Sequence, residues 1–193
     1  MQMVTGVTQT AWRRRDRDER VDTALERARA GDVDSFGAAV NHLLQPAYRL
    51  ALTMLRDEDR AEDAVQEATI KAWRSLGRLR DETSLRSWFL TIVANQCRSS
   101  LRTPPWLALD AGWFHREQRS GQDAATERID MARAVGGLGR AERLAVYLYY
   151  YLDLEVAEAS RIAGISESAF RSRLARATRR LRPQFVTEDG SDG

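Results

Sequence analysis

Between residues 164 and 182 the chain reads GISESAFRSRLARATRRLR, six arginines and one acid, Glu167, in nineteen positions. A guanidinium is planar, always charged and carries five donors, so a cluster of them suits phosphates and the acceptor edges of guanine. At helical spacing Ser168, Ser172, Arg176 and Arg179 fall on one side with Arg171 and Arg173 flanking them. A second set has the opposite sign. Residues 57–67 hold six acids and one arginine, Arg60, and Asp59, Asp63, Gln66, Glu67, Ile70 and Arg74 share a helix face on which Ile70 is out of place. Such a face is either solvated or turned to a protein partner, and the apolar Ile70 points to the partner. A third set, Ser87, Thr91, Asn95, Arg98 and Arg102, mixes hydrogen-bonding and cationic groups with no acid. That mixture fits nucleic acid, and it equally fits an ordinary solvated helix.

Chemistry of other kinds is poorly provided for. Cys97 is the single cysteine and His42 and His115 the only histidines, which excludes an internal disulfide and leaves no multi-residue metal set. No nucleophile, base and orienting group stand at a recognisable spacing, and no glycine loop could cradle a phosphate. The expectation is a non-enzyme with no cofactor and no small-molecule substrate.

The elements that must hold these sets are helices. Phe170, Leu174, Ala177 and Leu181 form the apolar stripe behind the arginines. Gly164 can close a preceding helix in the left-handed conformation, Ser166 can cap the next, and Ile165 with Phe170 is spaced as a hydrophobic staple. Upstream, Leu152, Val156, Ala159 and Ala163 make a short amphipathic pattern, so the segment reads as helix, tight turn, arginine-rich helix. The acidic set lies on a helix predicted from Arg60 to Leu76, and the third set on one from about Ser84 to Leu101 whose other face carries Leu85, Trp88, Phe89, Ile92 and Val93. Earlier helical patterns run through Val21, Leu25 and Ala28, and from Ser35 to Met54 with Pro46 as a kink or break. Further on, one passes through Ile129, Ala132 and Val135, and another runs from about Arg140 to Leu152.

The predicted organisation is all-α: a polar N-terminal arm over 1–20, a helical domain over 21–102, a linker over 103–126, a second helical domain over 127–183 and a tail over 184–193. The linker loses periodicity and holds Pro104, Pro105 and several small polar residues, although Trp106, Trp113 and Phe114 are unusual for a solvated spacer. A net charge of +2 conceals the opposed basic and acidic stretches, which imply two kinds of partner. Lys71 is the only lysine among 30 Lys and Arg residues, a bias that coding composition can produce, so position on a face weighs more than arginine number. No stretch of about 18 apolar residues and no leader-like N-terminus is present, so no membrane insertion and a cytoplasmic location are expected.

Two stretches together resemble the sigma-70 family of bacterial transcription factors. RAEDAVQEATIKAWRSL with LRDETSLRSWFLTIVANQCRSSLR resembles its second conserved region, and LGRAERLAVYLYYYLDLEVAEASRIAGISESAFRSRLARATRRL its fourth. The spacing resembles the small extracytoplasmic-function (ECF) group, which keeps only these two domains. The resemblance implies that core RNA polymerase docks on Asp63, Gln66, Glu67 and Ile70. It implies that the minus-ten element is held by Arg80, Asp81, Thr83, Ser84, Ser87, Thr91, Asn95 and Arg98, and that Ser168, Arg171, Ser172, Arg173, Arg176 and Arg179 contact the minus-thirty-five element. Promoter DNA and core polymerase are the implied partners, and an anti-sigma factor is a further one left open. The rival reading is a stand-alone helix-turn-helix regulator, which would share the arginine helix and have no use for the acidic one. Four positions depart from the family pattern: Gly139 for a common Pro, Asp153 for a common Gly, Glu155 for a Ser or Thr cap, and Phe170 for a smaller residue.

Overall fold

The computed structural model describes residues 21–79, 84–102 and 135–181, and among them every regular element is helical. The first unit comprises α1 (21–29), α2 (Val33–Leu55), α3 (Glu58–Ser75, prolonged by a 3-10 turn at Leu76–Arg78) and α4 (Leu85–Arg102). The second comprises α5 (Arg140–Val146), which runs into a π-helical turn at Tyr147–Tyr151, then α6 (Val156–Ala163) and α7 (Glu167–Leu181). The all-α architecture of two helical units is the one the periodicity predicts. The linker, both termini and the pattern through Ile129 and Ala132 lie outside the described residues.

Local chemistry sets the helix ends. Asp32 caps α2 by accepting the N–H groups of Asp34 (3.1 Å) and Ser35 (3.2 Å), and Arg56 closes it in the left-handed conformation at φ 57°. Asp57 accepts the N–H of Arg60 (2.9 Å) at the start of α3, and Ser84 that of Ser87 (3.1 Å) at the start of α4. Pro46 does not break its helix: α2 continues through it for 23 residues. The bond lost at the proline is outweighed by burial on both sides of it, at Leu43, Ala47, Leu50 and Ala51.

Helices α2, α3 and α4 pack on one another through a seam of alanines. Ala47, Ala51, Ala61, Ala68, Ala72 and Ala94 are fully buried, which lets the helix axes approach closely. Phe89, Leu43, Leu90 and Val93 fill the space between them, and Phe36 meets Trp73 at 5.3 Å between ring centres. In the second unit Phe170 and Ala177 of α7 are buried, and α7 packs against α5 and α6. The two units also touch directly. Helix α4 lies against α6 and α2 against α5, so that Leu144, Leu148, Leu152 and Ile162 continue the apolar core of the first unit.

Candidate nucleic-acid and polymerase interfaces

The helix-turn-helix is built as its sequence requires. Helix α6 ends at Gly164, whose φ of 68° is the left-handed conformation, and Ser166 caps α7 by accepting the N–H of Ala169 at 3.3 Å. Ile165 packs against the core and Phe170 is fully buried, which fixes how the chain enters α7. Glu155 starts α6 without a side-chain hydrogen bond, so its departure from a Ser or Thr cap is a real loss. Asp153 takes a positive φ of 51°, the conformation for which glycine is suited.

On α7 the structure brings Ser168, Arg171, Ser172, Arg176 and Arg179 together on the exposed side, with Arg173 half-buried beside them. The arginines are not equivalent. Arg171 pairs with Glu167 one turn back (3.2 Å), whereas Arg176 (3.8 Å) and Arg180 (3.0 Å) converge on Glu142 of α5. Glu142 also accepts the Gly139 N–H at 3.3 Å, the half of a capping box that a glycine permits. This carboxylate therefore ties α7 to α5, a role the sequence reading did not assign to it. Arg173 and Arg179 have no ion pair among the described residues. Tyr149 and Tyr150 stand beside Arg171, Leu174 and Arg179, forming an aromatic wall along the arginine face that the sequence reading missed.

Helix α3 presents the acidic face. Gln66, Glu67 and Ile70 are exposed and Asp63 is half-buried, so all four share one side. Ile70 is 44% exposed, in the company of carboxylates and away from the core. Partial burial, reinforced by the charges of Asp59, Glu62, Asp57 and Glu67, raises the Asp63 pKa above the usual aspartate value. Tyr48 of α2 stands against the same face: burial, and then Glu58, Glu62 and Asp59, push its hydroxyl pKa up. A cationic partner would relieve all of these charges at once.

The third set does not form the single exposed face its spacing suggested. Ser87 is only 8% exposed, because the apolar side of α4, with Leu85, Phe89 and Leu90, is wide enough to take it in. Thr91 is half-buried, and its hydroxyl donates to the Ser87 carbonyl (2.7 Å). Asn95 accepts from Arg98 (2.6 Å), and Arg98 turns to the second unit, donating to the carbonyls of Ile162 (3.1 Å) and Ala163 (3.3 Å). Burial lowers the Arg98 pKa, with Arg102 adding to the effect. Ser84 is exposed but serves as the α4 cap, and Arg80, Asp81 and Thr83 lie outside the described residues.

A helix-turn-helix with an arginine-lined second helix, joined to a helical unit that exposes an isoleucine among carboxylates, is the architecture of a helical DNA-binding protein. Comparison with known proteins narrows this class. The family model Sigma-70 region 2 matches residues 39–104, and Sigma-70, region 4 matches residues 128–181. The chain is 31% identical over 169 residues, 86% of its length and 85% of the relative's, to the ECF RNA polymerase sigma factor SigM of Mycobacterium tuberculosis. It is 27% identical over 145 residues, 75% and 87% of the two lengths, to the RNA polymerase sigma factor SigV of Bacillus subtilis. Its fold is similar to that of the sigma factor RpoE of Bartonella quintana, solved in complex with the anti-sigma factor NepR. The TM-score is 0.65 at 24% identity, covering 81% of this chain and all of that one. The chain belongs to the ECF group of the sigma-70 family, non-enzymatic factors of promoter-directed transcription initiation by RNA polymerase.

Proposed function

We propose that this chain docks on core RNA polymerase through Asp63, Gln66, Glu67 and Ile70 of α3 and reads a promoter with α7, while the first unit holds the melted upstream element. The observation that carries this assignment is Ile70, exposed among acids on the side of α3 away from the core. An apolar side chain in such a ring is the anchor-and-rim arrangement of a protein interface. On α7, Ser168, Arg171, Ser172, Arg173, Arg176 and Arg179 are the DNA-facing set. Arg173 and Arg179 are the members with no ion pair among the described residues to give up on binding.

In the first unit the DNA-facing set is Ser84, Thr91, Asn95 and Arg98, joined by Arg80, Asp81 and Thr83, which precede them in the sequence. A row of polar edges suits unstacked bases and their backbone. No helix among the described residues is long and apolar enough to cross a membrane; the proposed promoter-reading role calls for a cytoplasmic location. An anti-sigma factor is a further partner, as the complex formed by the Bartonella relative suggests. A stand-alone helix-turn-helix regulator is not favoured, since it would leave the acidic face of α3 without a role.

The experiment is transcription in vitro with purified core polymerase on a fragmented genomic library, with transcript starts sequenced. Starts that depend on this protein and share two spaced upstream motifs are the expected result. Asp63→Arg with Glu67→Arg should abolish those starts and the co-elution with core polymerase while leaving the helical content unchanged. Starts that persist in the double variant would remove the docking assignment.

A further inference from the structure

Glu142 is a carboxylate set beneath two arginines of the DNA-facing helix. Its side chain is only 14% exposed, against 59% for Arg176 and 57% for Arg180. Its two oxygens have different partners. Oε2 accepts from the Arg180 guanidinium (3.0 Å) and from the Gly139 N–H (3.3 Å), and Arg180 donates further to the Gly137 carbonyl (3.4 Å). The backbone at Gly139 is held in turn, because Arg143 donates to the carbonyl of the preceding Leu138 at 3.1 Å. The carboxylate is thereby fixed in direction, and Oε1 faces Nε of Arg176 at 3.8 Å.

That contact sorts the donors of Arg176. A guanidinium has two forked edges, one made by Nε with a terminal nitrogen and the other by the two terminal nitrogens. With a carboxylate on Nε, the terminal fork is left for a partner outside the chain. Two parallel donors of this kind match O6 and N7 of guanine in the major groove. An unsupported arginine has many rotamers and meets phosphates as readily as bases, whereas one held at Nε has lost that freedom before DNA arrives. The other arginines of the face lack such a support. Arg171 pairs only with Glu167, an exposed carboxylate of its own helix, and Arg173 and Arg179 have no ion pair among the described residues. An exposed pair within one helix is weak and leaves its side chains mobile.

Resting on the reading of α7 as the promoter-facing helix, we propose that Glu142 is a positioning residue for base recognition. It holds Arg176 by Nε so that the terminal nitrogens read one guanine of the minus-thirty-five element, while the unsupported Arg173 and Arg179 take phosphates. Glu142 itself touches no DNA. Its single negative charge lies under two positive ones, so the group as a whole still attracts the duplex.

The test uses holoenzyme made from the full chain and core polymerase, with a duplex library in which the minus-thirty-five element is randomised and the bound duplexes are sequenced. The parent prefers guanine at one position where Arg176→Ala removes the preference. Glu142→Gln, of the same shape, lowers the preference there about tenfold and leaves the other positions as they were. Glu142→Asp, which keeps the charge and draws it back by one methylene, gives a smaller loss at the same position. In the Arg176→Ala background, Glu142→Gln changes the sequence preference no further. Arg180→Gln is the control for bracing alone: it removes a contact between α7 and α5 and keeps the guanine preference. Thermal melts identify a variant that has not folded, and Glu142→Asp then carries the comparison.

A guanine preference unchanged by Glu142→Gln, or a loss spread evenly over the element and reproduced by Arg180→Gln, overturns the positioning role and leaves the sigma reading standing. So does an Arg176→Ala variant that alters no position. A chain that binds no polymerase, or a holoenzyme that selects no sequence, overturns the sigma reading and the positioning role with it.

Discussion

Asp153 shows how a single residue records a demand of the backbone. It links the π-helical turn to α6 at φ 51°, a conformation in which aspartate is tolerated and glycine is not strained. Asp153→Gly is therefore expected to be neutral or to stabilise by up to about 1 kcal/mol, the relief being partly offset by the greater freedom of glycine in the unfolded chain. Asp153→Val, β-branched at the same φ, should destabilise by more than that. Urea titrations of the three proteins provide the measurement, and a valine variant as stable as the parent would remove the argument. At the same scale Arg98 stands apart from the other arginines. Its donors are shared between a helix of its own chain and the phosphate it is proposed to meet, so its effect on DNA binding cannot be read without its effect on folding geometry.

Among the elements, α7 separates reading from bracing. Arg176 and Arg180 reach Glu142 on α5, whereas Arg179 has no ion pair among the described residues. Arg179→Ala should lower the slope of log affinity against log salt by about 0.9, the loss of one phosphate contact, without changing stability. Glu142→Gln should do the opposite: loosen the packing of α7 on α5, cost stability, and leave the salt slope almost unchanged. Binding isotherms at several salt concentrations, with thermal melts alongside, distinguish the two.

Much at this scale was legible beforehand. Cap, turn and stripe at Gly164, Ser166 and Phe170 are local signals, as is the acidic face of α3, and both stand where periodicity puts them. What periodicity could not show is long-range. Ser87 has the spacing of an outward residue and is buried because α4 is covered more widely than one stripe requires. Nothing local signals that Arg98 will find its partners 64 and 65 residues away. Of the kink or break expected at Pro46 the break does not occur, for a related reason: a local rule against proline gives way when the helix is held in the core on both sides of it.

For the molecule as a whole, the continuity of the core makes pH a probe of folding. Burial, the largest influence, raises the Cys97 thiol pKa from 9.0 to about 11, against smaller opposing effects of Arg98, its own backbone and Arg60. A thiol whose folded pKa is raised stays protonated in the native state while the unfolded chain ionises. Its contribution is fully present below pH 9 and is lost as pH rises through 11, on the order of 3 kcal/mol in all. Tyr147, whose hydroxyl is pushed up to about 12 chiefly by burial, adds to the loss in the same direction at still higher pH. Unfolding midpoints should fall between pH 9 and 11 in the parent and fall less in Cys97→Ala. Equal slopes in the two proteins would remove the thiol as a cause.

The alanine seam between α2, α3 and α4 has a consequence of a different sort, in the genetics of the protein. Every single-base change in an alanine codon that alters the amino acid yields Val, Thr, Ser, Pro, Asp, Glu or Gly. At Ala47, Ala51, Ala61, Ala68, Ala72 and Ala94, where no solvent reaches the side chain, the first six enlarge a contact that has no room, and glycine weakens a helix interior. In a library of random point mutants, inactive clones should therefore concentrate at these six small positions, far from both the DNA face and the polymerase face.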